Sequence, residues 1–304
     1  MQIDFEQASF TYQSDSINAC AALTDINLHI GPGELLAIIG HGGSGKSTLA
    51  LLMAGLYKPT SGKVMMNGKE AKSGNKAVGL VFQYPEQQLF GETVFEEVAF
   101  GARNFDVPED YLPIRVRQAL DDVGLSPDEF WHRSPFMLSG GQKRRVCIAS
   151  MLSFSPKFII LDEPAAGLDE GGRLWIIDLV KKLHKDGKTV VWITHNMSEA
   201  AELAQRIVVL NAGRIIFDDN ASEVFSHEEE LRAVGLDIPE AASLVRSLKD
   251  KGKPVPGFAV TVDEAYSEIM AWLRPESQGP APKEMDVDQV EELLREWREG
   301  NEHV

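Results

Sequence analysis

The sequence predicts an α/β fold that is interrupted by a helical insertion and followed by a small, α-rich C-terminal extension. Short apolar runs such as 35–39 and 158–161 have the character of buried strands, and helical patterns follow them. Between residues 92 and 158 the apolar spacing is helical, and no strand pattern occurs there. After about residue 225, acidic residues become about twice as frequent as basic ones and prolines are common.

Composition limits the functions that the chain can have. Its 304 residues carry a net charge of −16, and 43% are hydrophobic, which indicates a folded core. Proteins that bind a nucleic-acid backbone normally show a basic surface, so we expect no nucleic-acid partner. The two cysteines, Cys20 and Cys147, fit neither a disulfide framework nor a zinc site and are expected to be inert. No signal-peptide pattern or apolar run near 18 residues occurs, so no membrane span is expected.

The first elements lead into a glycine-rich loop. Residues 2–12 and 24–30 are predicted strands, and the apolar strand 35–39 follows a turn at 31–33. The residues after it fit the pattern G-x-x-x-x-G-K-[ST] of a P-loop: Gly40-His41-Gly42-Gly43-Ser44-Gly45-Lys46-Ser47-Thr48. A helix predicted over 47–55 completes the strand–loop–helix setting that this motif requires.

This setting predicts that the loop binds the phosphates of a nucleotide. Glycines let backbone N–H groups converge on phosphate oxygens, and the helix N-terminus adds partial positive charge. The motif assigns Lys46 to the β- and γ-phosphates and the Ser47 hydroxyl to Mg²⁺. An accidental glycine-rich turn is the alternative, and the flanking strand and helix disfavour it.

The α/β pattern continues after the loop. The predicted elements are strands at 64–68 and 78–82, two helical runs within 92–123 (the second over 111–123), a helix at 143–154, a strand at 158–161, a helix at 170–185, a strand at 189–194, a helix at 198–204 with Ser198 as its N-cap, and strands at 207–210 and 214–217. The strand at 158–161 runs into Asp162 and Glu163. Acids often end strands only because they solvate turns. In a parallel sheet with a P-loop, however, both strand ends face one crevice, so Asp162 is predicted to hold Mg²⁺ and Glu163 to polarise the attacking water.

A second motif, Leu138-Ser139-Gly140-Gly141-Gln142, resembles the LSGGQ signature of the ATP-binding subunits of ABC transporters. The resemblance covers residues 1 to about 225. It implies a P-loop NTPase of ABC type with an antiparallel β subdomain, a helical subdomain at about 84–155, and ATP and Mg²⁺ as cofactors. In that family, the signature completes the γ-phosphate site of a second subunit in a head-to-tail dimer.

The resemblance also implies roles for individual residues. Tyr12 resembles the aromatic residue that stacks on adenine, although a tyrosine in a Phe-x-Tyr strand is more often a packing residue. Gln83 resembles the Q-loop glutamine that senses Mg²⁺ and the attacking water. The segment 166–169 (Ala-Gly-Leu-Asp) resembles the D-loop, which crosses to the partner, and His195 resembles the switch histidine at the γ-phosphate. Every such position is intact, so we expect a working ATPase.

The segment after Gln83 narrows the resemblance. Residues 84–90 (YPEQQLF), followed by 92–94 (ETV), are similar to the A subunits of energy-coupling factor (ECF) transporters, which import vitamins or nickel and cobalt. Residues 235–240 and the helix predicted at 265–273 resemble the C-terminal region that helps to hold the dimer of those subunits. We therefore expect residues 226–304 to be a dimerisation extension, with a linker at 275–282 and an acidic tail helix at 285–299.

The ECF resemblance implies three partners at the cytoplasmic face of the membrane. They are a second ATPase subunit (identical or a close paralogue), a transmembrane T subunit that enters a groove of the helical subdomain, and a substrate-binding membrane subunit contacted indirectly. The entering helices of the T subunit carry an arginine. Four acids are candidates to receive it: Glu86, Glu92, Glu96 and Glu97.

The sequence leaves three alternatives open. An ordinary ABC importer would share the ATPase motifs but use a separate binding protein. A soluble ABC ATPase acting on DNA or ribosomes is disfavoured by the single cassette, the excess of acids and the lack of heptads. A small-molecule kinase with a P-loop is disfavoured by the signature and by His195.

Overall fold

The structure is a computed structural model that describes residues 1–13, 18–71 and 77–273. These ranges contain ten β-strands: β1 Ile3–Tyr12, β2 Cys20–Ile30, β3 Leu35–Ile39, β4 Ser61–Met66, β5 Lys69–Glu70, β6 Val78–Val81, β7 Phe158–Asp162, β8 Thr189–Thr194, β9 Arg206–Asn211 and β10 Arg214–Asp219. They also contain eleven α-helices: α1 Lys46–Met53, α2 Val94–Asn104, α3 Leu112–Asp122, α4 Pro127–Phe130, α5 Gly140–Leu152, α6 Glu170–Lys185, α7 Met197–Leu203, α8 Ala221–Ser226, α9 Glu228–Ala233, α10 Glu240–Asp250 and α11 Val262–Leu273. Among the helices of these ranges, none combines the length and apolar character needed to cross a membrane.

Two sheets form the framework of the described residues. An antiparallel sheet has the strand order β2-β1-β4-β5. The second sheet has the order β10-β9-β3-β8-β7-β6 and is parallel except for β10. The strands β3, β7 and β8 are buried along their whole length, which explains why their sequences are continuous apolar runs rather than alternating ones. The α/β fold with an antiparallel β region and a helical insertion is therefore confirmed.

The register of the parallel strands aligns their carboxyl ends. Ile39 of β3 lies beside Thr194 of β8, and Asp162 of β7 lies beside Ile193. The chain therefore leaves β3, β7 and β8 at the same edge of the sheet, where parallel α/β folds form their ligand crevices.

The helices α2, α3 and α5 form a helical layer that packs through buried apolar side chains, including Val98, Val116 and Val146. The two helical runs predicted within 92–123 correspond to α2 and α3, with Asp106 in a left-handed conformation between them (φ 60°). A close contact joins α2 to α5, because a Cβ on Gly101 would lie only 2.2 Å from the backbone oxygen of Ser150.

The residues after β10 pack in two places. Leu231 and Ala242 belong to a hydrophobic cluster with Val209 of β9. A smaller cluster joins α10 and α11 and contains Val245 and Ala265. The domain boundary near residue 225 and the dimerisation role of this extension stay predictions. The predicted linker and tail helix (275–299) lie outside the described residues.

Helix ends provide one confirmation and two corrections. Gly55, just beyond α1, has a φ of 67°, as expected for a glycine that terminates a helix. The helix predicted from residue 143 begins at Gly140 instead, because Ser139 and Gln142 form a capping box. The assignment of Ser198 as an N-cap is wrong, since the side chain of Asn196 accepts the N–H groups of Ser198 and Glu199 (3.0 and 3.2 Å).

The contact at Gly101 gives a direct test of the helical packing. Gly→Ala normally stabilises a helix by up to about 1 kcal/mol. At Gly101 the added methyl group overlaps the backbone of α5, so we expect Gly101→Ala to lower the free energy of unfolding by about 1–3 kcal/mol. The matched control is Gly171→Ala in α6, where a Cβ would have its nearest neighbour at 3.9 Å and should not destabilise. Chemical denaturation of both variants measures the difference, and equal stabilities would contradict the packing described here.

Candidate functional site

The loop between β3 and α1 is shaped by its glycines. A Cβ on Gly40 would lie 2.3 Å from the backbone oxygen of Leu210, and a Cβ on Gly45 would lie 2.6 Å from that of Ala22, so neither position accepts a side chain. Gly45 is the N-cap of α1, with a φ of 108° and no side chain to satisfy the first N–H groups of the helix. An anion at this helix N-terminus would satisfy those groups.

Lys46 is buried within this loop, with 9% of its surface exposed. Its Nζ donates hydrogen bonds to the backbone oxygens of Gly40 (2.6 Å) and His41 (3.0 Å). Burial lowers the pKa of Lys46, and the nearby carboxylates of Glu163 and Asp162 oppose that shift. An ammonium group therefore lies beside the cradle and close to two acids.

The oxygen atoms around Lys46 fit a nucleotide with Mg²⁺. The hydroxyl of Ser44 is fully buried and has no hydrogen-bond partner among the described residues, which is unusual unless a ligand supplies one. The hydroxyl of Ser47 hydrogen-bonds to Asp162, and burial raises the pKa of that carboxyl. Mg²⁺ typically takes one or two protein oxygens of this kind together with phosphate oxygens and water.

Glu163 and His195 form a second part of the site. Glu163 follows β7 in a left-handed conformation (φ 50°), and its backbone N–H donates to the oxygen of Ile193. Non-glycine residues rarely adopt this conformation, and such residues cluster at functional sites. The Oε1 of Glu163 lies 2.8 Å from Nδ1 of His195, whose side chain is 68% exposed while that of Glu163 is 11% exposed. The carboxylate is thus held inside the protein, and the imidazole reaches the surface.

An aromatic surface borders the P-loop helix. The hydroxyl of Tyr12 lies 3.1 Å from Oγ1 of Thr48 in α1. The ring of Tyr12 meets Phe10 edge to face at 4.9 Å, and Phe10 stacks on Tyr57 at 5.1 Å. Tyr12 is 37% exposed, so a flat ligand can contact it from the solvent side.

Two further predicted residues lie at the margin of the site. His41 reaches from the P-loop to the turn between β9 and β10, where its Nε2 lies 3.1 Å from Oδ1 of Asn211. Gln83 follows the parallel strand β6 and is exposed. The remaining glycines of the loop, Gly42 and Gly43, face open space, since a Cβ at either position would have no atom of the described residues within 4 Å.

The signature segment 139–142 is exposed and is not joined to this site. The Oγ of Ser139 accepts the N–H of Gln142 (3.3 Å), and Oε1 of Gln142 accepts the N–H of Ser139 (3.1 Å). Gly140 and Gly141 between them are exposed. In the part of the chain that the structure describes, no hydrogen bond connects this segment to residues 40–48. The structure therefore places the P-loop, Asp162, Glu163 and His195 together but leaves the signature apart.

The structure shows which of the four candidate acids already have hydrogen-bond partners inside the chain. Glu86 is paired with Arg144 inside the chain, with its Oε1 3.0 Å from the guanidinium. The carboxylate of Glu97 accepts the N–H groups of residues 90 and 91, and Glu96 forms a capping box with Thr93. Of the four, Glu92 is the one that is exposed without a hydrogen bond or ion pair to another described residue.

Sequence reasoning missed two buried charged residues near the site. Arg144 is 3% exposed and donates to the backbone oxygens of Pro164 and Ala166 as well as to Glu86. Glu199 is 6% exposed and accepts the hydroxyl of Thr194 (3.1 Å), and burial raises its pKa. The sequence signal was weak: each is a single charged residue among the buried apolar residues of its helix.

Comparisons with known proteins find a matching family model and relatives that cover most of the chain. A family model described as "ABC transporter" matches residues 23–166. The chain is 44% identical over 282 residues to an "Energy-coupling factor transporter ATP-binding protein EcfA2" of Caldanaerobacter subterraneus, covering 90% of this chain and 98% of the relative. It is 46% identical over 280 residues to a protein of the same name from Symbiobacterium thermophilum, covering 90% and 97%.

Two solved structures are also similar. One is CbiO1 of Clostridium perfringens, described as part of the ABC transporter complex CbiONQ, with a TM-score of 0.66, 36% identity and coverage of 80% of this chain and 98% of that one. The other is the ATP-binding cassette MJ0796, described as a dimer in a post-hydrolysis state bound to ADP and Pi, with a TM-score of 0.64, 30% identity and coverage of 72% and 98%.

The buried carboxyl of Asp162 gives a pH-dependent test of the site. Its raised pKa means that the ionised form is disfavoured in the folded protein, so we expect Asp162→Asn to raise the Tm measured at pH 7 without nucleotide. The penalty is absent below the ordinary pKa of 3.8 and grows as pH rises through the raised pKa, so the gain should shrink on acidification. The control is Asp178→Asn, which removes an exposed acid of α6. An equal or smaller gain for Asp162→Asn would contradict the burial of its charge.

Proposed function

The chain belongs to the ABC transporter family, among the ATP-binding proteins of energy-coupling factor transporters, and on that premise we propose that it hydrolyses ATP to energise an importer of vitamins or transition-metal ions. One observation carries the proposal. The parallel register brings the P-loop, Asp162, Glu163 and His195 to a single edge of the sheet, beside the N-terminus of α1.

The first task of this edge is to bind ATP. The N–H groups of the loop 40–45 and of the first turn of α1 surround the phosphates, and Lys46 leaves its backbone acceptors to meet the β- and γ-phosphates. Ser47, Asp162 and Gln83 are the residues that would hold Mg²⁺, which neutralises charge on the phosphate oxygens when bound. Tyr12 provides the aromatic face for adenine.

The second task is to activate the attacking water. Glu163 accepts a hydrogen bond from the water and orients it toward the γ-phosphate, as a buried and fixed carboxylate can do. His195 is held by Glu163 at 2.8 Å and contacts the γ-phosphate from the exposed side. Gln83, just after β6, would sense Mg²⁺ and the attacking water. Lys46 stabilises the charge that develops on the transferred group.

The third part of the ATP site would come from a second ATPase subunit, which is either a copy of this chain or a close paralogue. The exposed N-terminus of α5, with Ser139, Gly140, Gly141 and Gln142, suits an anion of another subunit better than the phosphates of its own P-loop. The segment 166–169 would cross to the partner beside it. A head-to-tail dimer with two ATP molecules at its interface satisfies both features.

The membrane partners would contact the helical layer from the cytoplasmic face of the membrane. Phe90 and Phe100 form an exposed edge-to-face pair there, with ring centroids 4.6 Å apart. Glu92 lies next to this pair and has the free carboxylate that an arginine of a transmembrane T subunit could meet. A substrate-binding membrane subunit would be contacted indirectly and would determine what is imported.

The role of Glu163 is tested by a charge-neutral substitution. Glu163→Gln keeps the size of the side chain but removes its basicity, so we expect ATP binding to persist, hydrolysis to fall by about 10²- to 10⁴-fold, and a closed dimer to accumulate. Lys46→Ala should instead lose tight ATP binding. Nucleotide titration, phosphate release and size-exclusion chromatography separate the two effects, and normal turnover by Glu163→Gln would remove Glu163 from the mechanism.

The role of Glu92 is tested by charge reversal. Exposed ion pairs contribute up to about 1 kcal/mol, so Glu92→Lys should weaken assembly with the membrane subunits by up to about five-fold. The matched control is Glu70→Lys in β5, which makes the same charge change at an exposed acid outside both the helical layer and the C-terminal extension. Co-purification yields measure the effect, and equal yields for both variants would exclude Glu92 as the acidic contact.

A further inference from the structure

Arg144 is a buried charged residue in the second turn of α5, shortly after the signature segment 139–142. Its guanidinium makes four hydrogen bonds. Nε and one terminal nitrogen donate to the two carboxylate oxygens of Glu86 (3.2 and 3.0 Å). The other terminal nitrogen donates to the backbone oxygens of Pro164 (3.0 Å) and Ala166 (2.7 Å). A buried guanidinium needs such partners, and a bidentate carboxylate pair fixes its orientation as well as its charge.

The two carbonyl contacts of Arg144 hold the backbone directly after Glu163. Pro164 is the next residue, and Ala166 opens the segment 166–169 that is predicted to cross to the partner. Glu163 has a left-handed backbone conformation, which the surrounding contacts must maintain. The N–H of Ala166 also donates to the backbone oxygen of Glu163 (3.2 Å), so the turn held by Arg144 closes back on Glu163 itself.

The carboxylate contact of Arg144 holds a second functional segment. Glu86 lies in a short 3₁₀ turn, Pro85–Gln88, which starts two residues after Gln83. Tyr84, between them, is also left-handed (φ 53°), and its ring lies 3.9 Å from where a Cβ on Gly167 would be. The segment after Gln83 and the segment after Glu163 therefore lie close to each other, and Arg144 bonds to both.

We propose that Arg144 is a positioning residue for ATP hydrolysis, which ties the signature helix α5 to the backbone that aims Glu163 and, through Glu86, to the turn that aims Gln83. A movement of the exposed signature when another subunit docks is then transmitted to the water-activating carboxylate. None of the hydrogen bonds of Arg144 reaches residues 40–48, so the effect falls on hydrolysis rather than on ATP binding. The inference rests on the proposed roles of Glu163 and Gln83.

The test measures kcat and the KM for ATP of the full-length chain assembled with its second ATPase subunit. We expect Arg144→Met to lower kcat by about 10- to 100-fold, because small misplacements of catalytic groups have effects of that size, with KM unchanged. Arg144→Lys keeps the positive charge but loses the planar guanidinium with its several donors, so its kcat should lie above that of Arg144→Met. Glu86→Gln loses only the carboxylate arm and should fall between Arg144→Met and the unmodified chain. The matched control is Arg103→Met, which removes an exposed ion pair of α2 and should leave kcat unchanged.

A purely structural role of Arg144 predicts a different pattern. It would lower the Tm and the active fraction but leave the kcat of the folded protein, measured per bound ATP, unchanged. That result, or a raised KM with unchanged kcat, would overturn the proposal. If Arg144→Met does not fold, Arg144→Lys and Glu86→Gln must still show the loss of kcat, and unmodified rates in both would overturn it. Glu163→Gln is measured in parallel to distinguish failure of the role of Arg144 from failure of the proposed function. If Glu163→Gln is also fully active, the proposed mechanism fails and not only the role of Arg144.

Discussion

The parallel register of β3, β8 and β7 is the constraint on which the rest of the structure depends. Ile39 lies beside Thr194, and Asp162 lies beside Ile193. A shift of one residue in either pairing would turn each following side chain to the other face of the sheet. These strands are buried on both faces, so a shifted register would have to repack apolar side chains on both sides of the sheet. The hydrophobic core thus places the P-loop, the two acids and the histidine together.

The charged groups at the carboxyl edge of the parallel sheet favour ligand binding at the expense of the stability of the ligand-free protein. Burial lowers the pKa of Lys46 and raises that of Asp162, because both charged groups lose part of their hydration in the folded protein. Glu163 adds a second buried carboxylate and a left-handed backbone. Phosphate oxygens would give Lys46 an anionic partner, and a divalent cation would give one to Asp162. Functional sites commonly retain such unfavourable groups, which the rest of the fold offsets.

Local patterns predicted the site, and long-range contacts escaped prediction. The P-loop, the acids after β7 and the histidine after β8 are recognisable because each depends on a few consecutive residues beside a buried strand. Arg144 is different, since its partners lie 58 and about 20 positions away in the sequence. The pairing of Glu86 with Arg144 likewise cannot be read from the sequence, in which all four acids are equal candidates for an arginine of the partner. The N-cap of α7 is Asn196 rather than Ser198, and both residue types can cap a helix. Even this local feature was therefore not decided by the sequence pattern alone.

The proposed site is composite: the P-loop is one half, and residues 139–142 of another subunit are the other half. The most direct test is to measure ATP binding and ATP hydrolysis separately for Ser139→Arg, in assembly with the second ATPase subunit. Ser139 has no hydrogen bond to the P-loop of its own chain within the described residues, so ATP affinity at Lys46 should be unchanged. Hydrolysis should fall, because the large side chain blocks the γ-phosphate site of the partner. Loss of ATP binding at the P-loop of the same chain, or full hydrolysis, would contradict the composite site.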